Sequence, residues 1–185
     1  MSAIGCVTGA FQVTQIIRLT IAGGGIPMSI SVELKSYELA QACQTGYMRH
    51  IKAIEAGYDQ DRGIEREANH WQRHIEGACG EIAVAKAMKV YWGGGISTFD
   101  AHGDIDGTGW EVRTRSKHGH DLILRHGDKD DRKYILVTGT APKYEVHGWI
   151  LGADAKQQKY LKFVQQIGRA FFIPQQDLQT LGSLK

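Results

Sequence analysis

Two acidic residues and a basic one lie close together in a pattern that can build a small metal site. Asp104 is in a glycine-rich segment that predicts a turn, and Glu111 and Arg113 are two positions apart in the stretch that follows. Side chains two apart on a strand point to the same face, so Glu111 and Arg113 would share one face, with Asp104 at the mouth of the strand. Carboxylate oxygens beside a cation suit a hard divalent metal ion next to a phosphate.

A predicted helix upstream carries a fourth candidate, Glu81. The helix is predicted over about 66–89 because apolar residues recur at helical spacing, at Trp71, Ile75, Ala78, Ile82 and Ala85. Glu81 lies at the edge of this stripe, in a run of small residues that includes Gly77 and Gly80. Glycine inside a helix costs about 1 kcal/mol relative to alanine, so the run predicts a close approach of the helix to a sheet, which would bring Glu81 near the sheet edge.

The remaining pattern predicts a mixed α/β order around these residues. A helix over 37–56 is predicted because apolar residues recur at helical spacing, with Ser36 as its N-cap and Gly57 as its stop. These apolar residues are Ala40, Cys43, Tyr47, Ile51 and Ile54. Another helix, capped by Asp154, is predicted over 155–166. Residues 58–68 are charge-rich and predict a loop or helix entry. The predicted strands are 30–34, 96–99, 110–114, 121–125, 133–138, 145–151 and 170–173. Consecutive strands between helices favour an α/β fold with a mixed sheet over a doubly wound one.

Composition excludes several classes of protein. The chain has 185 residues, is 42% hydrophobic and carries a formal charge of +2, which is typical of a globular protein and not of a polybasic binder. No apolar run reaches the roughly 18 residues needed to span a bilayer. Three widely spaced cysteines give no disulfide framework or metal knuckle, which favours a reducing, cytoplasmic compartment. We expect Cys43 and Cys79 to be buried as small apolar residues.

Three segments are predicted along the chain. Residues 1–27 are an N-terminal extension of doubtful structure, because a Gly-Gly-Gly run shortly before Met28 resembles a translated ribosome-binding site and the pattern becomes regular only after Met28. Residues 28–65 form a strand and helix appendage. Residues 66–185 form the core domain.

The order of elements resembles that of the PD-(D/E)XK nuclease superfamily. It is a helix with a glutamate, a turn with an aspartate, a strand with Glu-x-cation, and then a further helix and strand. The phrase GDIDGTGWEVRTR resembles the D…(D/E)xK core of its phage and bacterial members, and EGACGEIAVAKAM resembles their first core helix. The match covers roughly 70–175. The resemblance implies a restriction-endonuclease-like αβββαβ core, with a mixed central sheet flanked by helices. It also implies a deoxyribonuclease that depends on Mg²⁺ or Mn²⁺ and comes from a phage or a bacterium. Its implied location is the cytoplasm of the bacterial host cell. DNA is the implied partner, RNA is not excluded, no membrane is involved, and a homodimer is allowed.

The resemblance also implies roles for individual residues. Asp104 and Glu111 would hold the metal, with Glu81 orienting a ligand or binding through water. The family lysine falls on Arg113, which keeps the charge but cannot act as a base. Lys117 could migrate into the lysine's role.

Positive charge is concentrated in 113–133, which suits a phosphodiester backbone. The residues expected to contact nucleic acid are Arg115, Lys117, His118 and Arg125. The same excess of charge is also compatible with a solvated strand and loop edge.

Structural explanations stay open for each candidate. Asp-Gly pairs favour turns for local reasons, and Asp106 is the alternative to Asp104. Glu111 and Arg113 could be a surface ion pair worth under about 1 kcal/mol. His70 and His74 have the i, i+4 spacing of zinc ligands, but no catalytic glutamate follows His70, which favours ordinary helix-surface histidines. The nuclease fold could also be catalytically decayed and only bind nucleic acid or a protein.

Overall fold

The computed structural model describes residues 29–57, 70–96, 103–105, 107–165 and 168–184. Its helices are α1 (Ser36–Glu55), α2 (His70–Met88) and the four-residue α3 (Gly152–Ala155). Its strands are β1 (Ile30–Glu33), β2 (Trp110–Arg115), β3 (Leu122–Leu124), β4 (Lys133–Thr140), β5 (Lys143–Leu151), β6 (Leu161–Val164), β7 (Gly168–Ile173) and β8 (Gln179–Thr180). The fold is therefore mixed α/β, as predicted. None of the helices in these ranges is long and apolar enough to cross a membrane.

The main sheet has the strand order β1-β5-β4-β2, with β8 also paired to β5. β1 and β4 run antiparallel to β5, whereas β2 runs parallel to β4, so the sheet is mixed. β2 pairs with β4 on one side, which leaves its other side available to the Asp104 segment. Residues 29–57 belong to this same assembly, since β1 joins the main sheet and α1 packs against α2.

A second, smaller antiparallel sheet has the order β3-β7-β6. β3 directly follows β2 along the chain, yet it pairs with β7 and not with the main sheet. One apolar core lies between α2 and the main sheet and includes Val84, Val112 and Val146. The other core lies between the two sheets and includes Leu124, Leu136 and Phe171. The main sheet is therefore buried on both faces, which fits the nearly continuous burial of 134–139 along β4.

The small residues of α2 mark its closest approach to the main sheet. A Cβ built on Gly80 would lie 1.9 Å from Thr114 Oγ1 on β2, whereas a Cβ on Gly77 would meet no atom within 4 Å. Trp110 and Val112 face α2 in the core next to it. The predicted reason for glycine in this helix is confirmed at Gly80, and it positions the following residue, Glu81, close to β2.

The two glycines provide a matched pair of substitutions. Gly80→Ala should destabilise the protein by about 1–3 kcal/mol, because the added methyl group overlaps Thr114 and must push α2 from the sheet. Gly77→Ala, made in the same helix, should stabilise it by up to about 1 kcal/mol, because alanine favours helix and nothing obstructs it. Urea unfolding of both variants measures the difference. Equal effects of the two substitutions would contradict the close approach.

The predicted helix over 37–56 is confirmed as α1, which begins one residue earlier with Lys35 at the N-cap position. Gly57, at φ +64°, follows its C-terminus as predicted. The apolar stripe that predicted the helix nevertheless faces solvent. Its buried side carries Ala42, Thr45, Gly46, Arg49 and His50. Of the two cysteines expected to be buried, Cys79 is buried and Cys43, on the outer side of α1, is exposed.

The strands predicted at 30–34, 110–114, 121–125, 133–138, 145–151 and 170–173 are confirmed to within two residues at most boundaries. The helix predicted over 155–166 is wrong. In its place are α3, a 3-10 turn at Gln158–Tyr160 and the strand β6. β6 occupies this segment because it pairs with β7, a long-range contact that local periodicity does not reveal. The predictions for 1–27, 58–68 and Asp106, and for most of the strand at 96–99, concern positions outside the described residues.

Candidate functional site

A tight hairpin places Asp104 against the free side of β2. Ile105 forms a bridge with Trp110, and the Asp104 N–H donates to the Trp110 carbonyl at 2.8 Å. The Asp104 carboxylate then accepts the Val112 N–H at 2.7 Å. Gly103 has φ +84° and lies so close to Trp110 that a Cβ would be 2.6 Å from its carbonyl oxygen. These contacts fix the carboxylate of Asp104 beside Val112, at the edge of β2.

Glu111 and Arg113 lie on the same face of β2, opposite the face that packs on α2. The Arg113 guanidinium is 3.6 Å from the Glu111 carboxylate and stacks over the Tyr134 ring at 5.0 Å. Burial raises the pKa of Glu111, and the charge of Asp104 raises it further, although Arg113 and Arg132 act in the opposite direction. Glu111 is therefore a half-buried acid close to the charge of a second acid. A bound cation would offset the repulsion between the two carboxylates.

A third acid, Asp128, anchors Arg113. Its Oδ1 accepts from Arg113 Nη2 at 3.1 Å, and its Oδ2 accepts from the Arg125 N–H at 2.8 Å. Asp128 follows β3 in a turn, and its charge also contributes to the raised pKa of Glu111. Asp128 is not among the candidates of the sequence analysis, because nothing in the spacing indicates that this turn folds back onto β2.

Glu81 is buried, at 4% exposure, and is paired with a residue that the sequence analysis missed. Arg49 of α1 donates to both of its carboxylate oxygens, at 2.5 Å and 2.8 Å, and Trp92 Nε1 donates to one of them at 2.9 Å. The Arg49 Nε donates in turn to the Gly95 carbonyl at 2.8 Å. A bidentate arginine–carboxylate pair of this kind is among the strongest ion pairs in proteins. It occupies the oxygens that Glu81 would use to bind a metal ion directly.

The electrostatics of the Glu81 pair connect it to Asp104. Burial raises the pKa of Glu81, the hydrogen bonds and charge of Arg49 lower it, and Asp104 raises it again. Burial lowers the pKa of Arg49, but the interactions with Glu81 and the charge of Asp104 more than compensate and raise it. Asp104 therefore interacts with both Glu81, on the α2 side of the sheet, and Glu111, on the opposite side.

The described residues contain no group of three or more His, Cys, Asp or Glu side chains that could hold a metal ion by themselves. Mg²⁺ usually takes only one or two carboxylates and completes its shell with water and substrate oxygens. Two hard oxygen donors at Asp104 and Glu111 fit that requirement in chemical type.

The four residues expected to contact nucleic acid lie at the far end of β2, in the turn after it, and directly after β3. Arg115 is half-buried, and burial lowers its pKa. Lys117 and His118 are exposed in the turn after β2, which Gln175 holds by donating to the His118 and His120 carbonyls. Arg125 follows β3 and is partly exposed. Lys117 is in a different loop from Asp128. Arg113 lies beside Glu111, on which the charge of Arg132 also acts.

The histidines of α2 belong to a ring cluster with α1. The His50 ring lies 5.4 Å from His74 and 6.1 Å from His70, and Trp71 packs edge-on against His50 at 4.2 Å. Burial, with nearby positive charges, lowers the pKa of His74 to about 4. The cluster places His70 and His74 in the packing between the two helices, and not on an open helix surface as their spacing favoured.

Comparison with known proteins yields no match. No family model matches the chain, and neither a curated protein nor a solved structure resembles it significantly. What the chain can do is therefore argued from the site alone.

Proposed function

We propose that the chain is a metal-dependent nuclease that hydrolyses phosphodiester bonds of DNA, on a restriction-endonuclease-like αβββαβ core. The observation that supports this most strongly is the position of Asp104. It is held at the edge of β2 by the Val112 N–H, and its charge acts on both Glu81 and Glu111. Clustered acids with raised pKa values are common at catalytic sites, because ordinary folding does not require such a concentration of like charge.

In the proposal, Asp104 and Glu111 hold Mg²⁺ or Mn²⁺. When bound, the ion supplies a water of lowered pKa and polarises the phosphate. Arg113 supplies positive charge for the phosphate and is held in place by Asp128 and Tyr134, so little reorganisation is needed when charge develops. Arg49 fixes Glu81, which acts as a positioning residue next to Asp104 and not as a direct ligand.

The charge pattern supports a polyanionic substrate. Arg115, Lys117, His118 and Arg125 lie on β2, the turn after it, and the end of β3, on the same stretch of chain as the acids. A phosphodiester backbone would contact these side chains while one phosphate reaches Arg113. Binding should accordingly weaken as salt is raised.

The direct test is incubation of the full chain with plasmid and single-stranded DNA in Mg²⁺ or Mn²⁺, with EDTA as the control. Metal-dependent cleavage is the expected result. Binding that is equal with and without EDTA, and no cleavage under either condition, would contradict the nuclease proposal.

A second function, nucleic-acid or protein binding without catalysis, is favoured by one specific observation. The position of the family lysine is Arg113, and its guanidinium is engaged by Asp128 and Glu111. Such an arrangement can serve structure alone.

Arg113→Lys separates the two functions. If the chain is a nuclease, this variant should keep cleavage within about tenfold, because lysine retains the charge, whereas Arg113→Met should lower it by about a hundredfold. If the parent chain does not cut and Arg113→Lys does, the parent is a decayed enzyme. Cleavage rates for the three proteins, measured together with DNA affinity, provide the comparison.

A further inference from the structure

The amphipathic pattern of α1 is inverted with respect to the core. Its buried side is small and polar, whereas its outer side carries large apolar residues, with Tyr37 59%, Tyr47 50% and Ile54 57% exposed. Its principal contacts among the described elements are with α2, so α1 forms an outer layer of the fold. An apolar stripe of this length on the outer side of a helix marks an interaction surface.

The outer stripe has the spacing of a coiled-coil seam. Its six positions alternate three and four residues apart, over about two and a half heptads. In order they are Tyr37, Ala40, Gln44, Tyr47, Ile51 and Ile54. All are exposed except Ile51, which is partly buried. The seam contains no charged residue, and Tyr47 is already held by stacking on Trp71 at 5.0 Å.

The seam is complementary to itself when a second copy runs in the opposite direction. When two antiparallel copies are aligned at the midpoint of the seam, Tyr37 of one lies opposite Ile54 of the other, and Ala40 lies opposite Ile51. The two side chains that meet in each of these layers differ in size. The central layers place Gln44 opposite Tyr47, where the amide and the phenol can hydrogen-bond and fix the register. A single polar layer of this kind is a known means of specifying register.

We propose that two copies of this chain associate through an antiparallel pairing of their α1 helices. The seam extends over about 27 Å at 1.5 Å per residue, which is short, so we expect the contact to be smaller than the roughly 1,600 Å² of a standard specific interface. For a single helix pairing of this length we expect a reversible dimer with a dissociation constant of roughly micromolar magnitude. This pairing uses the side of α1 opposite Arg49 and does not depend on the proposed chemistry.

Sedimentation velocity of the full chain from about 1 to 100 µM tests the proposal. A concentration-dependent dimer is expected. Ala40→Glu, which puts a charge in the seam, should weaken it at least tenfold. Lys52→Gln changes the net charge by the same amount on the same helix outside the seam, and should leave it unchanged. Gln44→Leu should tighten it at least tenfold, because an apolar layer replaces the polar one. Far-UV circular dichroism confirms that α1 is intact in each variant.

Two results would overturn the proposal. One is a chain that stays monomeric throughout this range, including with Gln44→Leu, as expected if another part of the same chain or a different protein covers the seam. The other is a dimer that responds equally to Ala40→Glu and Lys52→Gln, which would place the contact elsewhere.

Discussion

Asp104→Asn should lower metal-dependent DNA cleavage by about a hundredfold or more, and Glu111→Gln should do the same. Each change removes one negative charge from the proposed metal site while keeping the size of the side chain. Asparagine still has an oxygen that can accept the Val112 N–H, so the hairpin that presents residue 104 should persist. Loss of transition-state stabilisation of this size is typical when one electrostatic partner is removed.

Asp154→Asn is the matched control, because Asp154 is an exposed acid in the short helix α3, which packs against β5. It should retain parental cleavage. Urea midpoints of all three variants should stay close to that of the parent, which separates loss of chemistry from loss of fold. Undiminished cleavage by Asp104→Asn and Glu111→Gln would remove these residues from the mechanism.

Arg49→Met should destabilise the protein by about 3–5 kcal/mol, the usual cost of leaving a buried charge without its partner. Glu81 is 4% exposed and receives two hydrogen bonds from Arg49. Without Arg49, burial raises the pKa of Glu81 still further above its unfolded value. The folded variant then binds a proton that the unfolded chain releases, so its stability should fall as pH rises. Urea unfolding at pH 5 and pH 8 should show the larger loss at pH 8.

Two further variants define the origin of the effect. Lys52→Met, at an exposed position of the same helix, should change stability by no more than about 0.5 kcal/mol. Arg49→Met combined with Glu81→Gln should recover most of the loss and flatten the pH dependence, because no buried charge remains and glutamine can still accept from Trp92. Equal effects of Arg49→Met and Lys52→Met would show that the ion pair contributes little.

Much of the fold follows from local pattern, because most strands and both long helices have clear periodicity. The small residues of α2 even predict its close approach to a sheet, which is confirmed by the approach of Gly80 to Thr114 on β2. The errors arise where tertiary contacts outweigh local pattern. Residues 161–164 form a strand because β7 lies beside them. The apolar stripe of α1 indicated the helix but not its buried side, since α2 packs on the small residues around Gly46, where a Cβ would be 2.6 Å from the backbone of Ile75.

The candidate site divides in the same way. Asp104, Glu111 and Arg113 are close in sequence, so turn and strand geometry suffice to bring them together. Arg49 is 32 residues from its partner Glu81 in the sequence. Asp128 is 15 residues from its partner Arg113. Both reach the site from other elements. The only sequence feature that could have indicated Arg49 is its alignment with the small residues Ala42 and Gly46 on one side of α1.

The most direct test of the central claim is a crystal of the full chain soaked in Mn²⁺ and measured at the manganese absorption edge. The account predicts an anomalous peak between the carboxylates of Asp104 and Glu111 that disappears in Asp104→Asn. Carboxylates that stay apart with no manganese between them, in crystals that bind the ion elsewhere, would contradict it.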